Sequence, residues 1–263
     1  MYNVVAFDLD GTLLNSEIIN LKSLQTTLDI HYNISVSMEE LLSLRGTSAK
    51  EIFEKYGISD YKPAQVKWIA EFDKIIDEVK IFDGLLDVLE MLKNLGVKLA
   101  IVTSRKRHEL DKLVSTFNLE SYFDYTVSID DTENPKPSAE PLKKLMELAD
   151  CTHKEILFVG DSLADIKCAE NNDTKFALAL WGASPELKDN CKIILNTPED
   201  VYSTVLNKRV CGCNKIYFCD LLEDAKAGRF KTYDELIESV SDRTDCFDCF
   251  PSAWKLLKLH INN

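Results

Sequence analysis

The sequence predicts an α/β fold built on a parallel sheet, and three observations carry that prediction. Short runs that are apolar but for Lys98 and Lys175 recur along the chain: 4–7, 97–102, 156–159 and 175–180. Each is too short for a helix and too continuous for a half-exposed strand, so each reads as a strand buried on both faces. Stretches with apolar residues at helical spacing lie between them, which gives the alternation of a βαβ chain. Finally, the runs end in polar residues, and ligands of open α/β sheets gather at the carboxyl ends of the strands.

The first run sets the frame. Val4-Val5-Ala6-Phe7 leads straight into Asp8-Leu9-Asp10-Gly11-Thr12. Asp8 and Asp10 are two residues apart, so extended backbone points both to one side. Two adjacent carboxylates repel each other and call for a cation, a shared proton or a basic partner. The glycine after them lets the chain turn.

After Thr12 the pattern turns helical for about seventy residues. Ile18, Leu21, Leu24 and Leu28 share one face, as do Ile69, Phe72, Ile76 and Val79. Arg45-Gly46-Thr47-Ser48 and Tyr56-Gly57 read as turns between short helices. Residues 16–80 are therefore expected to be a helical insertion, or cap, on the first βα connection, without strands. Asp83-Gly84 opens a helix with Leu85, Val88, Leu89 and Leu92 on one face, and Gly96 suits its C′ position.

The second strand, 97–102, ends in Thr103-Ser104, with Arg105-Lys106-Arg107 behind it. That basic run is expected to be an exposed helix start, with one member available to substrate. A helix through Leu110, Leu113 and Phe117 follows. Residues 125–129 form a third strand, which runs into a loop holding Pro135-Lys136-Pro137. Leu142, Leu145 and Met146 mark the next helix. A fourth strand, 156–159, ends in Gly160-Asp161-Ser162, and a helix through Asp165 and Ala169 follows. Residues 175–180 and 192–195 complete six strands. The core is thus expected over 1–15 and 81–207, with an extension over 208–263.

The bulk numbers narrow the function. The 263 residues include 31 Lys and Arg against 44 Asp and Glu, a net charge of -13. Such a chain repels nucleic acid and anionic membrane surfaces. A phosphorylated substrate would need local positive charge. No apolar run approaches the roughly 20 residues of a membrane span, and the first residues lack a signal pattern. The expected location is the cytoplasm, where the 8 cysteines would stay reduced.

The residues gathered at the strand ends are Asp8, Asp10, Thr103, Ser104, Lys136, Asp161 and Asp165. Side by side they make a site of hard oxygen donors, suited to Mg²⁺ rather than zinc. In order and spacing they resemble the four motifs of the haloacid dehalogenase superfamily: Asp8-Leu9-Asp10-Gly11-Thr12, Thr103, Lys136, and Gly160-Asp161-Ser162 with Asp165. The resemblance is to its phosphoglycolate-phosphatase-like branch, with a helical cap, and covers residues 3–207. It implies a Rossmann-like core and a Mg²⁺-dependent phosphatase acting on a small phosphorylated metabolite.

By that resemblance Asp8 is the nucleophile and Asp10 the acid and base. Asp8, the Asp10 carbonyl and Asp161 hold Mg²⁺, with Asp165 supporting the metal's waters or orienting Lys136. Thr103, Ser104 and Lys136 bind the phosphoryl group, and the cap closes over the site. Arg45 is the cap candidate for a second anionic group. Asn15 is a mild departure, standing where this branch commonly has aspartate. A sugar-phosphate mutase is the alternative on the same site, although such mutases carry a basic residue where this chain has Ala49, beside Lys50. Dehalogenases lack the aspartate present here as Asp10.

The extension lies outside the resemblance. Cys211, Cys213, Cys246 and Cys249 would supply four thiolates to a structural Zn²⁺. Reduced thiols in an apolar cluster, or a redox pair at Cys246 and Cys249, fit the same spacing. A dimer contact or a protein partner is a further use for this tail, and recruitment of a partner through it stands as an alternative function.

Overall fold

The computed structural model describes residues 2–44, 47–206, 209–211, 216–244 and 250–258. The chain divides into two compact units: residues 1–12 with 83–263, and residues 13–82.

The first unit is built on a six-stranded sheet. Its strands are β1 (Val4–Phe7), β4 (Lys98–Val102), β5 (Tyr125–Val127), β6 (Ile156–Gly160), β7 (Lys175–Ala179) and β8 (Ile194–Leu195). The order is β5-β4-β1-β6-β7-β8, and every pairing is parallel. The chain steps outward from β1 through β4 to β5, then crosses to β6 and steps outward the other way. The winding direction thus reverses beside β1, which is where open α/β sheets place their ligands.

Both faces of the sheet are covered. Val4, Ala6, Ala100, Val102, Ile156 and Phe158 pack with Leu142 and Leu145 of helix α7 (Glu140–Ala149) and with Cys168 and Ala169 of helix α8 (Leu163–Glu170). The alternate residues Val5, Phe7, Leu99, Ile101, Leu157 and Val159 are fully buried as well. Burial on both faces is why these strands read as unbroken apolar runs. Helix α5 (Leu85–Asn94) buries Leu85, Val88, Leu89 and Leu92. It ends with Gly96 at φ +80°, the left-handed position that glycine fills without strain.

The second unit holds helices α1 (Glu17–Tyr32), α2 (Met38–Leu42), α3 (Ala49–Lys55) and α4 (Tyr61–Lys74) around Leu24, Leu28, Leu41, Ile52, Phe53 and Ala64. Trp68 closes this core: its indole N–H donates to the Asn20 carbonyl at 3.0 Å and to Ser23 Oγ at 2.9 Å. One feature differs from the strand-free reading. β2 (Leu14–Asn15) and β3 (Lys80–Ile81) form an antiparallel ribbon, with Leu14 opposite Ile81 and Asn15 opposite Lys80. Two residues per strand leave no alternation for a sequence reader to find.

Strand ends also shift. β5 stops at Val127, because Ile129–Asp131 turn into a 3₁₀ segment in which Asp131 caps the Ser128 N–H at 2.7 Å. β8 begins at Ile194 rather than Lys192.

The last residues group with the first unit. β9 (Arg209–Cys211) pairs antiparallel with β10 (Ile216–Tyr217), and helices α10 (Phe218–Lys226), α11 (Tyr233–Val240) and α12 (Phe250–Leu257) follow. Trp254 meets Phe230 and Tyr233 at ring-centroid distances of 6.5 and 6.0 Å. Thr232 starts α11 with a capping box to Glu235. Among the described residues, no helix is long and apolar enough to cross a membrane.

Candidate active site

The site forms where β1, β4 and β6 stop together. The Asp8 N–H donates to the Val159 carbonyl at 2.9 Å and the Thr103 N–H to the Val127 carbonyl at 2.9 Å. The ladder thus carries these residues one step past their strands. Asp8 is buried. Gly11 turns the chain at φ +77°, and a Cβ there would lie 2.2 Å from the Asp161 carboxylate. Glycine is therefore required twice over, for the turn and for the close approach.

Lys136 joins the strand ends. It is buried in the loop between β5 and α7. Its ammonium donates to Asp8 Oδ1 at 2.8 Å, Asp165 Oδ1 at 2.7 Å and the Val102 carbonyl at 3.1 Å. Three donors meet three acceptors, so the charge is buried without an orphaned N–H. Burial alone would lower the Lys136 pKa, but the Asp165 and Asp8 carboxylates more than offset it and raise the value.

Asp165 is held from both sides. Its Oδ2 accepts from the Ser162 N–H at 3.1 Å and from Ser162 Oγ at 2.5 Å, and its own N–H donates to Ser162 Oγ at 3.2 Å. This capping box starts α8 and aims Oδ1 at Lys136, so one residue both caps a helix and fixes the lysine. Ser162 is the N-cap.

Asp161 accepts from Thr12 Oγ1 at 3.1 Å. Asp8, Asp161 and Asp165 place carboxylate oxygens within 4.8 Å of one another. Burial raises the Asp161 pKa well above its ordinary value, and the charges of Asp8 and Asp165 add to the rise. Burial raises that of Asp8 too; Lys136 opposes the shift, and Asp165 and Asp10 reinforce it. Three acids share one ammonium, so the cluster carries excess negative charge away from water. A divalent cation fits that excess, and the donors are all hard oxygens. Both Asp165 oxygens are already engaged, which leaves Asp8 and Asp161 as the residues that would touch such an ion.

Thr103 is buried, and its Oγ1 accepts from the Arg105 N–H at 3.2 Å. It is no helix N-cap, since helix α6 (Arg107–Thr116) begins after Lys106. Ser104 is exposed beside it.

The basic run departs from its expected exposure. Lys106 is exposed, but the Arg105 side chain is only 14% exposed and forks onto Asp10. Its Nε donates to Oδ2 at 2.8 Å and its Nη2 to Oδ1 at 2.7 Å. Burial disfavours the guanidinium charge, yet Asp10, Glu109 and Asp8 hold it firmly cationic. Arg107 turns elsewhere, donating to Thr126 Oγ1 at 2.8 Å and pairing with Asp131. Three cations in a row look alike in a sequence, and only the turn after β4 decides which faces the acids.

A second contribution unseen in the sequence is the loop after β7. The Trp181 indole N–H donates to the Thr12 carbonyl at 3.0 Å, and a Cβ at Gly182 would lie 1.8 Å from the Gly11 carbonyl oxygen. This loop buttresses the Gly11 turn from a distance of 169 residues. No local pattern signals it.

Two earlier expectations fall outside the described residues. Arg45 is one. Cys213, Cys246 and Cys249 are others, and only the backbone of Cys211 is described, so the Zn²⁺ site receives no support. Cys168, Cys191 and Cys219 are thiols in no disulfide.

The haloacid dehalogenase-like hydrolase family profile matches residues 5–179. The pyrophosphatase PpaX of Bacillus mycoides is 33% identical over 184 residues, 68% of this chain and 84% of that protein. Among solved structures, one from Lactobacillus plantarum, described provisionally as a phosphoglycolate phosphatase, superposes with a TM-score of 0.70 at 26% identity, covering 77% of this chain and 99% of the other. One from Thermotoga maritima, described provisionally as a β-phosphoglucomutase, has a TM-score of 0.65 at 23% identity, over 78% of this chain and all of the other; at that identity the likeness concerns the fold alone. With its parallel sheet, its cluster of acids at the strand ends and its phosphatase and pyrophosphatase relatives, this chain belongs to the haloacid dehalogenase-like hydrolase family as a phosphoric monoester hydrolase.

Proposed function

We propose that the chain is a Mg²⁺-dependent phosphatase that transfers the phosphoryl group of a small metabolite to Asp8 and then to water. The observation that carries this reading is the shared hold of Lys136 on Asp8 and Asp165, 2.8 and 2.7 Å away, beside the excess acid of Asp161. A carboxylate that attacks a phosphate meets another anion. At about 4 Å the repulsion is about 4 kcal/mol at an effective dielectric of 20. Lys136 offsets part of it and fixes the Asp8 carboxylate plane.

Asp8 and Asp161 would hold Mg²⁺, which when bound would supply the remaining positive charge on the transferring group. An Asp8 oxygen bonds to phosphorus as the bond to the leaving oxygen breaks, and Asp10 gives that oxygen a proton. A water oxygen then bonds to the same phosphorus, its proton passes to Asp10, and the bond to Asp8 breaks. Asp8 and Asp10 are thereby restored and inorganic phosphate leaves. Thr103 and Ser104 bind phosphoryl oxygens at the end of β4.

The PpaX relatives make inorganic pyrophosphate the first substrate to try. The test is phosphate release from pyrophosphate and a panel of phosphorylated metabolites, with Mg²⁺ or with chelator, for wild type and Asp8→Asn. Release that needs Mg²⁺ and is lost in the variant supports the reading. Release that survives Asp8→Asn contradicts it.

A further inference from the structure

The loop after β7 reaches further into the acid cluster than its own contacts. It is anchored in the sheet: the Leu180 N–H donates to the Leu195 carbonyl of β8 at 2.9 Å, and the N–H groups of Gly182 and Ala183 both donate to the Ala179 carbonyl of β7, at 3.1 and 3.0 Å. From this base the loop meets two consecutive carbonyls. The Trp181 indole N–H donates to that of Thr12 at 3.0 Å. Gly182 lies so close to that of Gly11 that a Cβ would sit 1.8 Å from its oxygen.

These carbonyls belong to the two peptide planes that flank the Thr12 Cα. A peptide unit is flat, so fixing both planes fixes φ and ψ of the residue between them. Thr12 lies past the end of β1, where the ladder no longer holds it, and it is fully buried. With its backbone set, its hydroxyl is aimed, and it donates to Asp161 Oδ1 at 3.1 Å. Asp161 Oδ2 lies against Gly11, 2.2 Å from where a Cβ would be. The two residues that place the Asp161 carboxylate are thus the two whose carbonyls the loop holds. Asp161 shares its corner with Asp8 and Asp165, and like charges push a carboxylate out of such a cluster when no cation is bound. A carboxylate already held in place loses less freedom when a cation arrives.

We propose that Trp181 is a strut for the cation site, a positioning residue that acts through Thr12: by holding the Thr12 peptide it keeps the Thr12 hydroxyl on Asp161, keeps Asp161 turned toward the cluster, and so sets the affinity for the divalent cation. Gly182 supports the strut by admitting the loop to the Gly11 carbonyl. This rests on the phosphatase reading above, which gives the acids their Mg²⁺. It adds a determinant of metal affinity that lies outside the four motifs at the strand ends.

The test uses Mn²⁺ as the probe, its free fraction followed by electron paramagnetic resonance, and counts only the binding that Asp161→Asn loses. Trp181→Phe, which keeps an aromatic ring and loses the N–H, is expected to weaken that binding about fivefold. Thr12→Val, which loses the hydroxyl, is expected to weaken it about tenfold. The double variant should bind no more than about twofold worse than Thr12→Val, because the hydroxyl through which Trp181 acts is already gone. A merely structural tryptophan would lower stability in chelator and leave the affinity of the folded chain unchanged, a result that overturns the strut. Losses that multiply in the double variant overturn it as well. If Trp181→Phe does not fold, β-(3-benzothienyl)alanine placed at position 181 keeps the outline of indole without its N–H and gives the same comparison. Wild type with no Asp161-dependent Mn²⁺ binding removes the Mg²⁺-dependent phosphatase reading and the strut together. Wild type that binds, with Trp181→Phe binding as tightly, removes the strut alone.

Discussion

Glu71, buried in the helical unit, and Asp161, half-buried in the sheet unit, are acids that the chain treats in opposite ways. Glu71 is 5% exposed. Lys74 Nζ lies 2.8 Å from each of its oxygens, and His31 Nε2 lies 2.8 Å from one. Its pKa is lowered, by the Lys74 hydrogen bond first and the His31 bond second. Asp161 has the Thr12 hydroxyl at 3.1 Å and two more acids within reach, and its pKa is raised. An acid that serves the fold is neutralised by its own neighbours. Asp161 is left in a cluster of acids whose excess charge a bound cation would offset. Acid clusters of this second kind mark sites because folding alone gives no reason to keep them.

The sharpest way to break this contrast is to remove Lys136, the cation that Asp8 and Asp165 share. Lys136→Met leaves Asp8 and Asp165 buried without their partner, and is expected to cost about 3–5 kcal/mol of stability and to abolish turnover. Denaturant titration checks the first and phosphate release the second. A loss below about 1 kcal/mol would mean that the cluster is wet and loosely held.

Asp161→Asn should act in the opposite direction. It removes a like charge while keeping an acceptor for Thr12. In chelator the variant is expected to be more stable than wild type by about 1–2 kcal/mol, although turnover falls. The pH dependence carries the same sign. Asp161 holds its proton more tightly folded than unfolded, so its stabilising contribution is full below the unfolded carboxylate range and is lost as pH rises through the raised folded value. Wild type without Mg²⁺ should therefore lose stability over that interval, and Asp161→Asn should lose less. Mg²⁺ at a hundredfold its Kd should restore about 2.7 kcal/mol to wild type, and much less to the variant. Thermal melts with and without Mg²⁺ at several pH values measure all of this.

Glu71→Gln gives the smallest effect, a loss of about 1 kcal/mol from weakened charged hydrogen bonds. Here the sign reverses. Glu71 has a lowered pKa in the folded chain, so its contribution is present above the unfolded glutamate range and is lost as pH falls through the folded value. The variant should flatten the acid limb of the stability profile. An Asp161-like response at Glu71 would erase the distinction between the two regions.

How much of this was legible beforehand follows from the physics of each part. β1, β4 and β6 are buried on both faces, so they stand out as apolar runs, and the acids at their ends stand out against them. Asp165 was legible as a partner of Lys136, which one of its oxygens is, while the other caps α8. Arg105 was not legible, because a run of three cations says nothing about which one the chain turns inward. Trp181 and Gly182 were not legible either, since their contacts with Thr12 and Gly11 join residues far apart in sequence. The ribbon of Leu14–Asn15 with Lys80–Ile81 was too short to leave a period.

The most direct test of the central claim is to look for the phosphoryl group on Asp8 itself. Wild type mixed with substrate and Mg²⁺, quenched in acid within one turnover and digested, should yield the peptide containing Asp8 with one added phosphoryl group. The same peptide from Asp8→Asn, or from wild type in chelator, should carry none. Turnover of substrate with no phosphorylated Asp8 peptide at any quench time, or with the group on a different residue, would contradict the account.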